Sequence, residues 1–566
     1  MIRAWRHTAP LLTLAAFIAS GASAAEAYRD RQPQDEVIYF VLPDRFENGD
    51  ASNDRGGIQG GRLQHGFDPA SKGFYHGGDL KGLTARLDYI RSLGATAIWL
   101  TPLFKNKPVQ GGRGEESAGY HGYWITDFTR VDPHLGDDAE LRAFIAAAHE
   151  RDMKVYFDIV ANHTADVIAY RECPAARCPY RSRADRAYTP YLPRGEEHIK
   201  VPAWLNEVGL YHNRGDSTFE GESSEHGDFV GLDDLMTEHP RVVQGFIDIY
   251  GGWIDRYRID GYRIDTAKHV DAAFWRAFVP AMLARARANG IENFHLFGEV
   301  STESTDSALL ARSTRVAKLP AVLDFAFANA VRAVIADARG TDVLERLFAG
   351  DSLYAGGEAT ALQLPTFVSN HDIGRFAWFV RKARPRASDD EISKRVVLAH
   401  AMLFTLRGVP VIYYGDEQGF IGSGGDQDAR QDMFASQTET YRTQPRRGSS
   451  TTHFDRQHPL YRAIADLASL RQTHAALRRG RQIVRYSSEA PGLFVVSRID
   501  PESKQEIVVA FNTSVERLTA NVEVAPDARH FTSLRGSCSP APIARGSYRV
   551  TLPPLDFMVC AVDAPR

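Results

Sequence analysis

Cysteine is scarce in this sequence, charge of neither sign is in excess, and no apolar run is long enough to span a membrane. Lys and Arg number 67 and Asp and Glu number 71, so nothing in the charge balance calls for nucleic acid or an acidic membrane surface as a partner. With 566 residues the chain exceeds what one compact core usually serves, which predicts two or three domains.

The N-terminus has the pattern of an export signal. Arg3 and Arg6 precede a short apolar run at residues 11–18, and residues 22–24 (ASA) give a small-residue cleavage site. The apolar run is too short for a stable membrane anchor. We therefore expect residues 1–24 to be a signal peptide and the mature protein to be periplasmic or secreted.

The four cysteines agree with an oxidising compartment. Cys173 and Cys178 lie close together in a proline-containing loop, and Cys538 and Cys560 lie near the C-terminus. Four cysteines allow three pairings, of which the two local pairs are the economical choice. A zinc site is the rival interpretation, but the pairs lie in separate regions and neither has the C-x-x-C spacing.

Short β-rich runs alternate with helical patterns through most of the chain. Leu141, Phe144, Ile145 and Ala148 follow the spacing of an amphipathic helix, with further helices indicated over residues 271–289 and 388–406. Strands are predicted at residues 37–42, 97–101, 155–159, 261–264, 295–298, 322–325, 365–368 and 411–413. Eight strands, each followed by a helix, predict an α/β protein with a (β/α)8 TIM barrel.

Two regions depart from this alternation. After the third strand the chain takes about a hundred residues to reach the fourth, far more than an ordinary βα unit. This predicts an inserted domain, whose middle is polar, rich in Pro, Gly and Arg and expected to be irregular. Five short strands after His474, at residues 482–486, 493–498, 506–511, 520–524 and 548–552, predict a C-terminal antiparallel β domain. The expected boundaries are 25–161 and 236–478 for the two parts of the barrel, 162–235 for the inserted domain and 479–566 for the C-terminal domain.

Acidic residues stand at the ends of four of the predicted strands: Asp158, Asp265, Glu299 and Asp372. Active-site groups of such barrels lie at the C-terminal strand ends. Arg263 lies two residues before Asp265, so both side chains face the same way, and its guanidinium favours an ionised carboxylate. Glycosidic cleavage needs one carboxyl group to protonate the leaving oxygen and a second to attack the sugar.

Six motifs in order resemble the α-amylase family of glycoside hydrolases over roughly residues 35–475. They are residues 120–124 (YHGYW), 158–163 (DIVANH), 261–269 (GYRIDTAKH), 297–300 (FGEV), 367–372 (FVSNHD) and 408–417 (GVPVIYYGDE).

The resemblance implies a role for each matching residue. Asp265 is then the nucleophile, Glu299 the acid and later the base, and Asp372 a residue that binds and distorts the sugar, while Asp158 supports the site. The residues implied to contact the sugars are His121, Tyr123, His163, Arg263 and His371, with Lys268 and His269 on the leaving-group side.

Calcium is the implied cofactor. Asn48, Asp50, Asn53 and Asp54 crowd oxygen ligands into one loop, which suits Ca²⁺ but also an Asx-rich turn. By resemblance, the Gly77 carbonyl and Asp79 complete a calcium site in this loop. A second implied site takes Asn162, Asp234 and the backbone carbonyl of His269, with Asp233 as a rival to its neighbour.

The predicted function is that of an α-amylase acting on internal α-1,4 bonds of starch-like glucans and maltooligosaccharides by a retaining mechanism. We expect a monomer without a nucleic-acid or membrane partner. A cyclodextrin glucanotransferase shares Lys268 and His269 but normally carries two further C-terminal domains. A cyclomaltodextrinase normally brings an N-terminal β domain. A non-catalytic glycan-binding relative would lack one of the three carboxylates, which are all present here.

Overall fold

Eight short parallel strands form the centre of the molecule. The structure, a computed structural model, describes residues 27–444 and 451–563, so the predicted signal peptide at 1–24 lies outside the described residues. Strands β1 to β8 span Ile38–Val41, Ala97–Leu100, Lys154–Ile159, Gly261–Ile264, His295–Gly298, Ala321–Val322, Pro365–Thr366 and Val409–Tyr413.

The order of these strands in the sheet is that of a barrel. It runs β6-β5-β4-β3-β2-β1-β8-β7 with every pairing parallel. At the seam between β6 and β7, the amide of Asp324 donates to the carbonyl of Pro365 at 2.9 Å. The prediction of a (β/α)8 barrel is confirmed, with each strand falling within a few residues of its predicted position.

Amphipathic helices cover the outside of the barrel. Their longer members span Leu80–Ala85, Leu87–Ser92, Asp138–His149, Pro240–Tyr257, Ala272–Ala288, Phe325–Val331, Asp342–Ala349, Phe376–Ala383, Asp389–Thr405 and Pro459–Thr473. In the helix Asp138–His149, Asp137 caps the first turn by accepting from the amides of Ala139 and Glu140. No helix of the described chain is both long and apolar enough to cross a membrane.

The chain leaves the barrel after β3 and returns at the helix Pro240–Tyr257. Within this inserted segment Ala169–Tyr170 pairs with Pro190–Tyr191, and a short helix spans Ser223–His226. Cys173 and Cys178 are joined by a disulfide there. The segment is otherwise irregular, as its Pro, Gly and Arg content indicated, and the boundaries 162–235 stay a prediction.

The C-terminal region is an antiparallel β domain, as predicted, but it has seven strands where the sequence indicated five. They span Arg481–Tyr486, Leu493–Ile499, Glu506–Asn512, Leu518–Glu523, His530–Arg535, Ser547–Leu552 and Phe557–Asp563. The two that were missed, His530–Arg535 and Phe557–Asp563, pair with each other in a five-stranded sheet. Phe557–Asp563 lies inside that sheet, so its apolar residues form a continuous run without the alternation expected of a strand.

The five-stranded sheet buries both of its faces. Phe494 and Val496 belong to the core that the barrel shares, whereas Leu493 and Val495 pack into a separate core beneath the smaller sheet. This follows from the two-residue period of a strand. The buried Arg498 also donates to the Thr405 carbonyl at 2.8 Å, which ties the sheet to the barrel.

The two disulfides should differ in their contribution to stability. Cys538 and Cys560 are 22 residues apart, against 5 for Cys173 and Cys178. Because a longer closed loop loses more entropy in the unfolded chain, we expect the double Ala variant of the former pair to lower the free energy of unfolding by roughly 3 kcal/mol, and that of the latter by roughly 2 kcal/mol. Denaturant unfolding of both variants measures this, and equal losses would contradict it.

Candidate active site

One buried guanidinium, that of Arg263, joins three carboxyl groups at neighbouring strand ends. Its Nη1 lies 2.8 Å from Asp158 Oδ1 and 2.8 Å from Asp265 Oδ1, and its Nη2 lies 2.9 Å from Glu299 Oε2. The amide of Thr266 also donates to Glu299 Oε2, at 2.9 Å. The predicted side-by-side placement of Arg263 and Asp265 is present in the structure.

Strand register explains this convergence. Arg263 on β4 is level with Asp158 on β3. The amide of Asp265 continues the ladder by donating to the Ile159 carbonyl at 2.8 Å, and that of Glu299 donates to the Ile264 carbonyl at 2.8 Å. Asp265 and Glu299 are therefore the first residues after their strands, held by the sheet itself.

Burial dominates the ionisation of this cluster. It raises the pKa of Asp158 to about 7 and that of Asp265 well above its usual range, while Arg263 lowers both. The guanidinium alone would keep Asp265 ionised, as predicted from the sequence, but burial and the neighbouring charges of Glu299 and Asp158 oppose it.

Asp372 approaches from another direction and is partly exposed. Arg430 Nη2 lies 3.2 Å from Asp372 Oδ1, and Arg430 Nε donates to the His371 carbonyl at 3.1 Å. Arg430 also donates to the Tyr120 hydroxyl at 3.2 Å. Sequence reasoning missed this arginine, because it lies in an irregular segment after β8 and belongs to none of the six motifs.

Three rings lie side by side along one wall. Tyr123 stacks on His121 at 5.6 Å and on His371 at 5.5 Å between centroids. The Tyr123 hydroxyl donates to Asp158 Oδ2 at 3.0 Å and lies 2.8 Å from His371 Nε2. Tyr123 is thus fixed at its tip, and its side chain lines the cavity.

Two buried histidine nitrogens at this site have no partner among the described residues: Nε2 of His163 and Nδ1 of His371. Burial lowers the pKa of His163 to about 3 and that of His371 well below its usual range, so both rings are neutral. Buried polar atoms normally have partners, so such nitrogens favour a ligand that supplies hydroxyl groups.

Lys268 and His269 stand at the rim beyond Glu299. Lys268 Nζ donates to the Ser301 carbonyl at 3.0 Å, and His269 Nδ1 lies 2.7 Å from the Ser224 carbonyl. Burial lowers the pKa of both side chains. The inserted segment, which carries Ser224, therefore forms part of the site.

These groups open into one cavity of about 570 Å³. It is lined by all three predicted catalytic carboxylates and six of the predicted sugar-contacting residues: His121, Tyr123, His163, Lys268, His269 and His371. Arg263 and Asp158 lie beneath them. Trp124 of the first motif also lines the cavity, and residues that no motif indicated, among them Asp166, Arg177 and Phe229, complete the lining.

The implied calcium site beside the inserted segment contains a buried oxygen without a hydrogen-bond partner. Asn162 Oδ1 is buried without a partner among the described residues. Asp233 is engaged by Lys200 Nζ at 2.5 Å and by the amides of Val167 and Ile168. Asp234, whose Oδ2 meets His212 at 2.6 Å, is the better candidate of the two neighbours.

The loop site likewise fits a cation. Asn53 Oδ1 is buried without a partner among the described residues, and a side chain at Gly77 would lie 2.6 Å from Asp54 Oδ1 and 2.7 Å from Asn48 Nδ2. Burial and nearby carboxylates raise the pKa of Asp54 to about 6.

Two of the implied loop ligands make other contacts. Asp79 caps the helix Leu80–Ala85 through the amide of Gly82. Asp50 contacts Ser52 and Lys81. Of the loop side chains, those of Asn53 and Asp54 therefore fit a cation best.

Fold and site together define a (β/α)8-barrel protein with the clustered carboxylates of a glycoside hydrolase. Residues 40–450 match the family model of the alpha amylase catalytic domain. The chain belongs to the alpha-amylase family of glycoside hydrolases, which confirms the resemblance drawn from the six motifs.

Individual relatives support this family assignment. An alpha-amylase from Streptomyces lividans is 44% identical over 533 residues, which cover 89% of this chain and 58% of the relative. The chain thus spans less than two thirds of that relative's length. A solved alpha-amylase from Geobacillus thermoleovorans, complexed with acarbose, is 28% identical with a TM-score of 0.71 and covers 95% of this chain and 100% of its own.

A solved cyclomaltodextrin glucanotransferase with a three-domain ABC distribution is also similar. It is 26% identical with a TM-score of 0.74, and the match covers 94% of this chain and 99% of that one. The number of C-terminal domains therefore does not separate hydrolases from glucanotransferases of this family, contrary to the expectation from the sequence.

Proposed function

We propose that the protein hydrolyses internal α-1,4-glucosidic bonds of starch-like glucans and maltooligosaccharides with retention of anomeric configuration. The observation that carries this proposal is the contact of one guanidinium, Arg263, with both Asp265 and Glu299. A proton donor and a nucleophile must flank the same bond, and these two carboxyl groups line the same cavity as Asp372.

The contacts suggest a separate role for each carboxyl oxygen of Asp265 and Glu299 in the first displacement. Arg263 engages Oδ1 of Asp265, which leaves Oδ2 to attack the anomeric carbon. Arg263 and the Thr266 amide engage Oε2 of Glu299, which leaves Oε1 to carry the proton. As the glycosidic bond breaks, its electron pair goes to the leaving oxygen, which takes that proton, and the sugar becomes an ester of Asp265.

The second displacement reverses these roles. Glu299, now ionised, removes a proton from water, whose oxygen attacks the anomeric carbon and releases the Asp265 carboxylate. Each displacement inverts the anomeric centre, so the product retains the α configuration. Arg263 contacts both carboxyl groups and stabilises the negative charge as it moves between them.

Neutral and aromatic groups position the sugar in this proposal. His163 Nε2 and His371 Nδ1 are available to hydrogen-bond with sugar hydroxyl groups, since both are buried without partners among the described residues. Tyr123 offers its ring face. Asp372, held by Arg430 at 3.2 Å, accepts hydrogen bonds from sugar hydroxyl groups.

A product analysis tests the proposal. The mature protein is incubated with soluble starch, and the sizes and anomeric form of the products are followed by chromatography and NMR. Early α-anomeric oligosaccharides of mixed length are the expected result. Glucose alone, β-anomers or no turnover would contradict it, and the last outcome would favour a glycan-binding protein.

A glucanotransferase is the second candidate, favoured by the three-domain relative and by the presence of Lys268 and His269 at the rim of the cavity. In that reaction a sugar hydroxyl replaces water in the second displacement. Cyclic products from starch would identify this activity, and their absence would leave hydrolysis.

Calcium is proposed as a structural cofactor. Asn162, Asp234 and the His269 carbonyl would hold one ion, and the loop from Asn48 to Asp54 with the Gly77 carbonyl would hold another. A bound Ca²⁺ neutralises carboxylates and fixes the backbone that carries them. The first site connects the barrel with the inserted segment that lines the cavity.

Removal of calcium should therefore cost stability as well as activity. We expect a chelator to lower the thermal midpoint by several degrees and to reduce starch hydrolysis, because the His269 carbonyl and Asn162 lose their common partner. Calorimetry with and without chelator measures the first effect. A thermal midpoint and activity that are both unchanged in calcium-free protein would contradict the proposal.

Export is proposed as well, to the periplasm or the medium. Two disulfides join all four cysteines of the chain, as is typical of oxidising compartments. Cleavage at residue 24 or close to it, read by mass spectrometry of the mature protein, tests this.

A further inference from the structure

Two histidines and a glutamate meet on the inserted segment and its return to the barrel, outside the cavity. Ligand atoms of His212, His226 and Glu238 all lie within 4.8 Å of one another. His212 is buried and His226 half-buried, while the Glu238 side chain is 43% exposed, so the cluster is reachable from solvent. None of these residues takes part in the proposed chemistry.

Hydrogen bonds on the far side of each ring select its tautomer. His212 Nδ1 lies 2.6 Å from Asp234 Oδ2, and His226 Nδ1 lies 2.9 Å from the Glu222 carbonyl. Each Nδ1 donates its proton to an oxygen, so a neutral ring keeps its lone pair on Nε2. A carboxylate behind a histidine in this way is the usual support of a metal-binding imidazole.

The spacing of the ligand atoms suits a small cation. His212 Nε2 lies 3.1 Å from Glu238 Oε1, close to the separation of about 3.3 Å between two ligands of a tetrahedral ion with bonds of about 2.0 Å. The rings of His212 and His226 are 4.6 Å apart and meet edge to face, at 77°. Small side-chain rotations therefore bring all three ligand atoms within bonding distance of one ion.

The donor set selects the class of cation. Two imidazole nitrogens and one carboxylate oxygen suit Zn²⁺ and its neighbours, whereas Ca²⁺ takes oxygen ligands. We propose that His212, His226 and Glu238 bind one divalent cation of the zinc class, with the remaining coordination position open to water. Without metal, the same side chains form an ion-paired network. A measurement of metal uptake therefore distinguishes a metal site from such a network.

The position of this site connects it with the cleft. His226 ends the short helix Ser223–His226, and Ser224 of that helix contacts His269 at the cavity rim. Asp234 lies behind His212 and is also the candidate calcium ligand. The link between the two metals through Asp234 rests on the proposed calcium site, but the binding of the zinc-class ion does not.

Metal titration of the full mature protein tests the proposal. Calcium-saturated protein freed of other metals is titrated with Zn²⁺ by calorimetry and with Co²⁺ by visible absorption, which reports nitrogen ligation. We expect one equivalent to bind, and His226→Ala to weaken binding at least tenfold. His198→Ala, an exposed histidine of the same segment, should leave binding unchanged.

Asp265→Asn locates the ion, because a cation held in the cleft would lose affinity in this variant and one held by His226 would not. Equal affinity of wild type and His226→Ala, absence of uptake, or loss of uptake in Asp265→Asn would each overturn the proposal. These measurements use no glucan, so their outcome is independent of whether the protein hydrolyses starch.

Discussion

Asp265→Asn should lower kcat on soluble starch by at least about 10⁴-fold while the protein stays folded. The amide has the shape of the carboxylate but does not form an ester with the sugar. It also removes one of three carboxyl groups gathered around Arg263, so repulsion in the cluster falls and we expect a thermal midpoint no lower than that of the wild type.

Initial rates and calorimetry of the purified variant provide this comparison. Asp255→Asn is the matched control, because Asp255 pairs with Arg285 on the outside of the barrel and should keep full activity. In Asp265→Ala, azide should restore turnover and yield the β-glycosyl azide, since only one displacement remains. Full hydrolysis by Asp265→Asn would remove the assignment of the nucleophile.

Arg263→Met should have the second-largest effect, because it removes the one guanidinium that contacts Asp158, Asp265 and Glu299. We expect kcat/KM to fall by more than about 10³-fold and the free energy of unfolding to fall by roughly 3 kcal/mol, the cost of leaving buried carboxyl groups without their partner. Arg263→Lys keeps the charge but not the fork that joins three partners, so it should recover stability more than activity.

The pH profile gives a second readout for Arg263. Its charge lowers the pKa of Asp265 against the effect of burial, so its removal raises that pKa further. The nucleophile must be ionised, and the acidic limb of kcat/KM against pH should therefore move to higher pH in Arg263→Met. An unmoved limb, measured on the residual activity, would mean that Arg263 acts by position alone.

Much of the site could be predicted because it follows the strands. Asp158, Asp265 and Glu299 converge since parallel strands end at one rim, and the order of the motifs already placed them there. Arg430 could not be predicted in the same way, because an irregular segment has no periodicity that says where a side chain points. The choice between Asp233 and Asp234 also needed coordinates, since adjacent residues point to different partners.

Two predictions from the sequence were incomplete for related reasons: the ionisation of Asp265 beside Arg263 and the number of C-terminal strands. The pair Arg263 and Asp265 looks favourable for an ionised carboxylate in sequence, but burial and two further carboxyl groups enter only through the fold. Phe557–Asp563 was overlooked because a strand covered on both faces lacks alternation. Local pattern predicts an element best when one of its faces meets water.

The C-terminal sheet, which is covered on both faces, limits how this protein can be re-engineered. Phe494 and Val496 on one face of that sheet complete the packing of the barrel, so cutting the chain near residue 479 would strip an apolar wall from the catalytic unit. Engineers who wish to append a carbohydrate-binding module should therefore attach it after residue 563 and keep the sheet intact. By the same reasoning, domain exchange among such proteins should transfer the barrel and the C-terminal sheet together, because they share one core.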